Sequence, residues 1–318
     1  MLLLAGLLAA GSLAAGCSGG TGASAPGAPS ASPGSPAQAD PSASAAPTAP
    51  TAPTAEPYRL ISTTVAATQL ADAIGLELVG IPTSSKPLPE RYRGVTEVGN
   101  PMTPSMEIVK SLEPTEVLSV TTLQYDLAPM FDKAGIRATF LDFTSVESMS
   151  REIRLLGEKY GAEKKAQALI GKFDAKIEEI RQKTSGRKAP TVLILLGVPG
   201  SYLVATEKSY IGDLVRLAGG KNIVQGEDVE YLASNTEHLQ QADPDVILRA
   251  AHGMPDEVVA MFDREFKRND IWKHFSAVQQ GRVYDLPEPL FPTTGTIEAD
   301  AALDYTVRKL YPELEEKP

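Results

Sequence analysis

Cysteine, tryptophan and histidine are almost missing from this chain: its 318 residues hold one Cys, one Trp and three His. A lone thiol, Cys17, cannot staple a small secreted scaffold. No two histidines stand at the close spacing of a zinc site, which argues against a zinc or manganese binder. Lysine and arginine are absent before Arg59 and nowhere form a dense cluster, and 30 basic against 40 acidic side chains leave a formal charge of −10. Nucleic-acid binding needs clustered cations to replace phosphate counterions, so that class is excluded. No Walker A loop, dinucleotide glycine fingerprint or Gly-x-Ser-x-Gly elbow is found. Gly197-Val198-Pro199-Gly200-Ser201 carries proline where a nucleophile turn needs freedom. A transport role would therefore draw its energy from another subunit.

What is present is lopsided. Met1 to Gly16 is apolar and ends in small residues before Cys17, shorter than the roughly 20 residues of a membrane span, and reads as the hydrophobic region of a secretory signal. Ala14-Ala15-Gly16-Cys17 resembles the lipobox of bacterial lipoproteins, although Ala14 stands where leucine is usual and a basic leading region is missing. The resemblance implies cleavage before Cys17 and lipidation of that residue. Residues 18–56 are Ala, Pro, Ser, Thr and Gly with Asp40 as the single charge before Glu56. Such a segment has too little apolar surface to offset chain entropy and reads as a tether, semi-extended by its prolines.

From Tyr58 the chain has globular patterning, long enough for one large domain or two smaller ones. Short β-branched runs at Leu60 to Val65, Leu78 to Ile81, Val117 to Val120 and Thr139 to Leu141 read as strands. Thr68 to Ile74, Met106 to Leu112 and Leu127 to Ala134 read as helices between them. A second series has strands at Val192 to Leu196, Tyr202 to Ala205, Val246 to Leu248 and Val283 to Leu286, and helices at Ile211 to Ala218, Glu257 to Phe266 and Ala299 to Leu310. Between the series, a helix beginning near Val146 stops at Gly161, and Ala162 to Thr184 has the apolar spacing of one long helix of about 35 Å. The expected fold is α/β: two similar lobes with parallel sheets joined by a single long backbone helix. The division is a signal and lipobox over 1–17, the tether over 18–56, an N-terminal lobe over 57–145, a helical linker over 146–189 and a C-terminal lobe over 190–318.

The lobes echo each other. Ser105 to Leu118 aligns with Asn235 to Leu248, and Glu107 and Glu237 each precede a proline by seven residues, before a strand. Ser105 and Asn235 are N-cap types, which places each glutamate in a first helical turn, where the helix dipole favours a carboxylate. One reading is helix stabilisation alone; the other is a pair of acidic knobs for a partner with two matching halves.

These duplicated units flanking a backbone helix resemble the class III solute-binding lipoproteins that feed iron-siderophore, cobalamin and haem importers of the ATP-binding-cassette type. The stretches YRGVTEVGNPM, LLGVPGSYLVATEKSYIGDLVRLAGGKNIV, SNTEHL and PDVILRAAHGMPDEV carry a more specific likeness, to the haem-binding lipoproteins of the iron-regulated surface determinant systems. The likeness runs from Arg59 to Asp300 and omits the tether. It implies a non-enzymatic, monomeric receptor for haem b, iron protoporphyrin IX. It also implies a lipid anchor on the outer face of the cytoplasmic membrane of a Gram-positive bacterium. Haem would come from cell-wall donor proteins and pass to a permease dimer with its ATPase, with Glu107 and Glu237 as the docking carboxylates.

The same resemblance implies Met102, in Gly99-Asn100-Pro101-Met102, and His252, in Ala251-His252-Gly253-Met254-Pro255, as axial ligands of the haem iron. Thioether and imidazole are a known axial pair, and the soft sulfur raises the reduction potential. Taken alone, Met102 is a loop methionine of the kind that packs, and His252 is also read as a cap of the next helix. Met106 and Met254 are competing thioethers, and His238 and His274 read as surface or packing residues. Lys86, Arg91, Arg93 and Tyr202 are candidates for the haem pocket and its propionates. A siderophore or corrinoid binder of the same class is the alternative. A haem-degrading or redox enzyme would need one axial position open, which two protein ligands would deny it.

Overall fold

A computed structural model describes residues 58–233 and 243–314. The signal, Cys17, the tether, Glu237 and His238 lie outside the described residues. The chain from 55 onward is one compact unit.

The first half builds a five-stranded sheet. Its elements in chain order are β1 (Leu60–Ser62), α1 (Val65–Ile74), β2 (Leu78–Ile81), β3 (Thr96–Glu97), the hairpin strands β4 (Gly99–Asn100) and β5 (Thr103–Pro104), α2 (Met106–Ser111), β6 (Glu116–Val120), α3 (Gln124–Ala134) and β7 (Ala138–Leu141). The strand order β3-β2-β1-β6-β7 is parallel throughout. All its connections therefore leave from the same carboxyl edge, where open α/β sheets take ligands. The expected strand Leu60 to Val65 stops early because Thr64 accepts from the Ala67 amide at 3.2 Å and starts α1 at Val65. A hydroxyl cap satisfies an otherwise orphaned helix donor and so outweighs the β preference of one valine.

Two helices follow, α4 (Val146–Tyr160) and α5 (Glu163–Thr184). Gly161, at φ 68°, closes the first. A Cβ on Gly157 would lie 2.6 Å from the Ala166 Cβ, so a glycine is required where the two helices come closest. Along α5, Ala166, Ile170, Phe173 and Ile180 are buried at helical spacing while charged residues cover the other face.

The second half contributes β8 (Thr191–Val198), β9 (Ser201–Ala205), α6 (Tyr210–Leu217), β10 (Lys221–Asn222), β11 (Tyr231–Ala233), β12 (Val246–Ala251), α7 (Pro255–Arg268), α8 (Ser276–Gln279), β13 (Val283–Asp285) and α9 (Ala299–Leu310). Strands β10, β8, β12 and β13 are parallel, as expected. The sheet as a whole is mixed, because β9 and β11 run antiparallel. Pro199 and Gly200, the latter at φ 85°, turn the chain straight back after β8, which leaves no crossover to make β9 parallel.

One apolar core cluster spans both halves, from Leu60, Leu118 and Leu141 through Met149, Ile170 and Phe173 to Ile194, Leu248 and Leu303, and a smaller cluster lies in each half, around Phe131 and around Phe262 and Trp272. Polar contacts also join the halves. The Val146 amide donates to buried Asp213 on α6 at 2.8 Å, the Gly295 amide donates to the Phe143 carbonyl at 2.7 Å, and Lys172 and Lys176 on α5 each pair at 3.0 Å with an aspartate of α9, Asp300 and Asp304.

Candidate functional site

The site lies where the carboxyl edges of the two sheets approach each other. Met102 rides at the tip of the β4–β5 hairpin, in a two-residue turn with Pro101. Its amide donates to the Asn100 Oδ1 at 2.9 Å, and the hairpin is tied down by the Thr83 amide to the Gly99 carbonyl (2.9 Å) and the Ser105 amide to the Val98 carbonyl (2.7 Å). Gly99 has φ 105°, and a Cβ there would also press on the Ser105 nitrogen at 3.2 Å, so the approach to Met102 needs glycine. The hairpin is fixed while the Met102 side chain is 56% exposed, so its sulfur is available rather than consumed by packing. Met106 instead packs with the apolar residues beneath α2.

His252 follows β12 directly, and its amide donates to the Gly197 carbonyl of β8 at 2.8 Å. Gly253 at φ 69° and Met254 at φ 43° then turn the chain into α7, with Pro255 at its start. The N-cap position belongs to Met254, and no side chain caps this helix, so His252 is not its cap. The strained left-handed Met254 costs about 1 kcal/mol, a feature that persists only when the surroundings impose it. Partial burial lowers the His252 pKa, Lys86 lowers it further, and Glu288 acts in the opposite direction. The ring is therefore predominantly neutral near pH 7 and has a nitrogen lone pair to offer.

Lys86, on the segment after β2, forms an ion pair with Glu288, on the segment after β13. Thus the structure brings Lys86 to the opposite half, where its charge acts on His252. It does not do so for the other basic candidates: Arg91 pairs with Glu77 and Asp72 and lies over the Tyr92 ring, and Arg93 pairs with Glu90. The Tyr202 ring packs against Phe262 and Trp272, with centroids 5.9 and 6.1 Å away. It also lines a groove of about 550 Å³ with Met261, Arg264 and Arg268.

Glu107 is exposed in the first turn of α2, capped by Ser105, whose hydroxyl accepts from the Ile108 amide at 3.4 Å. His274 is exposed on the short turn Asp270–His274. Glu288 was missed by sequence reasoning, since only the fold reveals that it pairs with Lys86, 202 positions away. Among the described residues no group of three His, Cys, Asp or Glu is placed to hold a metal ion, and no helix is long and apolar enough to cross a membrane. The first half thus offers a thioether at Met102 and a cation at Lys86, and the second half an imidazole at His252.

Comparison with known proteins shows the family. The periplasmic binding protein family matches residues 60–290. The high-affinity heme uptake system protein IsdE of Staphylococcus aureus (strain Newman) is 48% identical over 247 residues, which is 77% of this chain and 85% of that protein. Among solved structures, an ABC transporter substrate-binding protein from Listeria monocytogenes EGD-e superposes with a TM-score of 0.77 at 54% identity, covering 81% of this chain and 100% of that one. The Staphylococcus aureus IsdE complexed with heme gives 0.76 at 47% identity, covering 80% and 99%.

Proposed function

The chain belongs to the periplasmic binding protein family, and from that premise we propose that it is a haem receptor: it holds one haem b between its two sheets, with His252 and Met102 on opposite faces of the iron, and passes it to an ATP-binding-cassette importer. What supports this reading is that the two donors come from different halves of the fold: Met102 is exposed at the tip of the β4–β5 hairpin, and His252 directly follows β12. Met254 is also exposed but sits two residues from His252 on the same wall, so it cannot supply the opposite face. With both axial positions filled by the protein, oxygen has no place to bind, and the receptor performs no chemistry on its cargo. Cys17 would anchor it by lipid to the outer face of the membrane, with the tether letting the body reach donor proteins and permease. Glu107 and Glu237 would meet the two permease subunits as a monomer docks.

Haemin titrated into the purified protein should give a six-coordinate Soret spectrum saturating at one haem per chain. His252→Ala should remove most binding, whereas Met102→Ala should leave a weaker complex with a shifted spectrum, because imidazole forms the stronger bond. Unchanged spectra in both variants would end the ligand assignment. A siderophore or corrinoid binder would show no dependence on this pair.

A further inference from the structure

The ion pair between Lys86 and Glu288 joins the segment after β2 in the first half to the segment after β13 in the second. Glu288 is presented rigidly. It sits in a turn where its carbonyl and that of Pro287 both accept from the amide of Phe291, a buried residue, and its side chain is only 16% exposed. Lys86 is the mobile partner: its side chain is 48% exposed and reaches over from a segment held by the Lys86 amide donating to the Ser84 Oγ at 2.9 Å. Lysine is a point charge on a flexible stem with no fixed fork geometry, so it can exchange one carboxylate for another at little geometric cost.

We infer that Glu288 is an internal stand-in for the acidic edge of the ligand: it holds Lys86 across the two halves, and an incoming ligand carboxylate takes Lys86 from it. The inference rests on the haem reading, whose cargo carries two propionates. It assigns Lys86 the preference for a carboxylate-bearing macrocycle, and Glu288 the part of a positioning residue that raises the affinity threshold for loading. The exchange swaps one partly solvated ion pair for another, so the cost of releasing Glu288 is modest and sensitive to salt.

The test is a Soret titration of the full chain with haemin and with haemin dimethyl ester, whose carboxylates are blocked, for wild type, Glu288→Gln and Lys86→Met. Removing the competing charge should tighten haemin binding about two- to fivefold at low salt, the range of a half-exposed ion pair, and the gain should shrink in 0.5 M salt, an ionic strength at which screening shortens to about 4 Å. The ester cannot take Lys86, so Glu288→Gln should leave its affinity unchanged. Lys86→Met should weaken haemin binding and narrow the gap between haemin and the ester. If Glu288→Gln weakens haemin binding or leaves it unchanged, Glu288 serves the His252 ring or the join between lobes, and the exchange is wrong although the receptor still binds haem. Equal tightening of haemin and ester also overturns it. Failure of the wild type to bind haemin at all overturns the haem reading and the exchange together.

Discussion

Glu116 shows how much a single residue owes to tertiary context. It opens β6 with its side chain only 3% exposed, and its carboxylate accepts from Lys159 at 2.5 Å and from the Thr139 and Tyr160 hydroxyls. Burial raises its pKa, but the hydrogen bonds from these three groups outweigh that and hold it below the ordinary glutamate range. A depressed folded pKa means that the stabilisation is full above the unfolded value, about 4.3, and is lost as the pH falls through the lower folded value. Glu116→Gln should cost about 2 kcal/mol at pH 7, less than a fully buried pair because Lys159 keeps solvent, and urea midpoints of variant and parent should converge below about pH 4. Divergence that persists in acid would mean that packing, not charge, carries the effect. Nothing in the sequence marks Glu116, since its partners lie 23, 43 and 44 positions away.

Among the elements, α7 and the strands beneath it decide where His252 stands. Gly197 in β8 lies directly under α7, where a Cβ would press on Val258 and reach 2.7 Å from the Phe262 Cε2, and both neighbours are fully buried. Arg249, 8% exposed in β12, locks the same layer by pairing with Asp285 (2.6 Å) and Asp263 (3.1 Å) beneath the Phe262 and Phe266 rings. Gly197→Ala should therefore destabilise the protein by about 1–3 kcal/mol, the usual cost of overfilling a packed layer, seen as a lower thermal midpoint. It should also weaken haemin binding, since the Gly197 carbonyl holds the His252 amide. A wild-type midpoint would show that α7 can lift without penalty. Helix ends were readable in advance from their punctuation, as Gly161 and Ser105 illustrate, because capping is local. The reversal of β9 was not, because a strand's own residues do not encode the direction of its neighbour.

For the whole molecule, the continuous core and the contacts from Val146 to Asp213 and from Gly295 to Phe143 leave the halves little room to rotate. Small-angle scattering of empty and loaded protein should differ in radius of gyration by less than about 1 Å, in keeping with binding sites that are largely preformed. A large compaction would show that the joint opens. Docking belongs to this scale too. Glu107 is exposed on α2, outside the β4–β5 hairpin that carries Met102, so Glu107→Ala should slow haem import into cells while leaving haemin binding by the purified protein unchanged, because exposed charges mostly steer encounter and orientation. Loss of haemin binding in this variant would place Glu107 in the fold or the pocket instead. Glu237, its counterpart in the repeat, lies outside the described residues.

The sequence by itself determined the α/β alternation, the long helix between the halves and the exposed glutamate in the first turn of α2. Those features are written in local periodicity, in caps and in short motifs, each readable within about one or two turns of chain. Only the tertiary structure decided that β9 returns antiparallel, that Arg91 and Arg93 are engaged by acidic residues of their own half, and that Lys86 alone among the basic candidates pairs with the opposite half, at Glu288. The physical reason is that an ion pair depends on distance in space: a lysine after β2 and a glutamate after β13 become neighbours only once two separately built sheets turn their carboxyl edges toward each other.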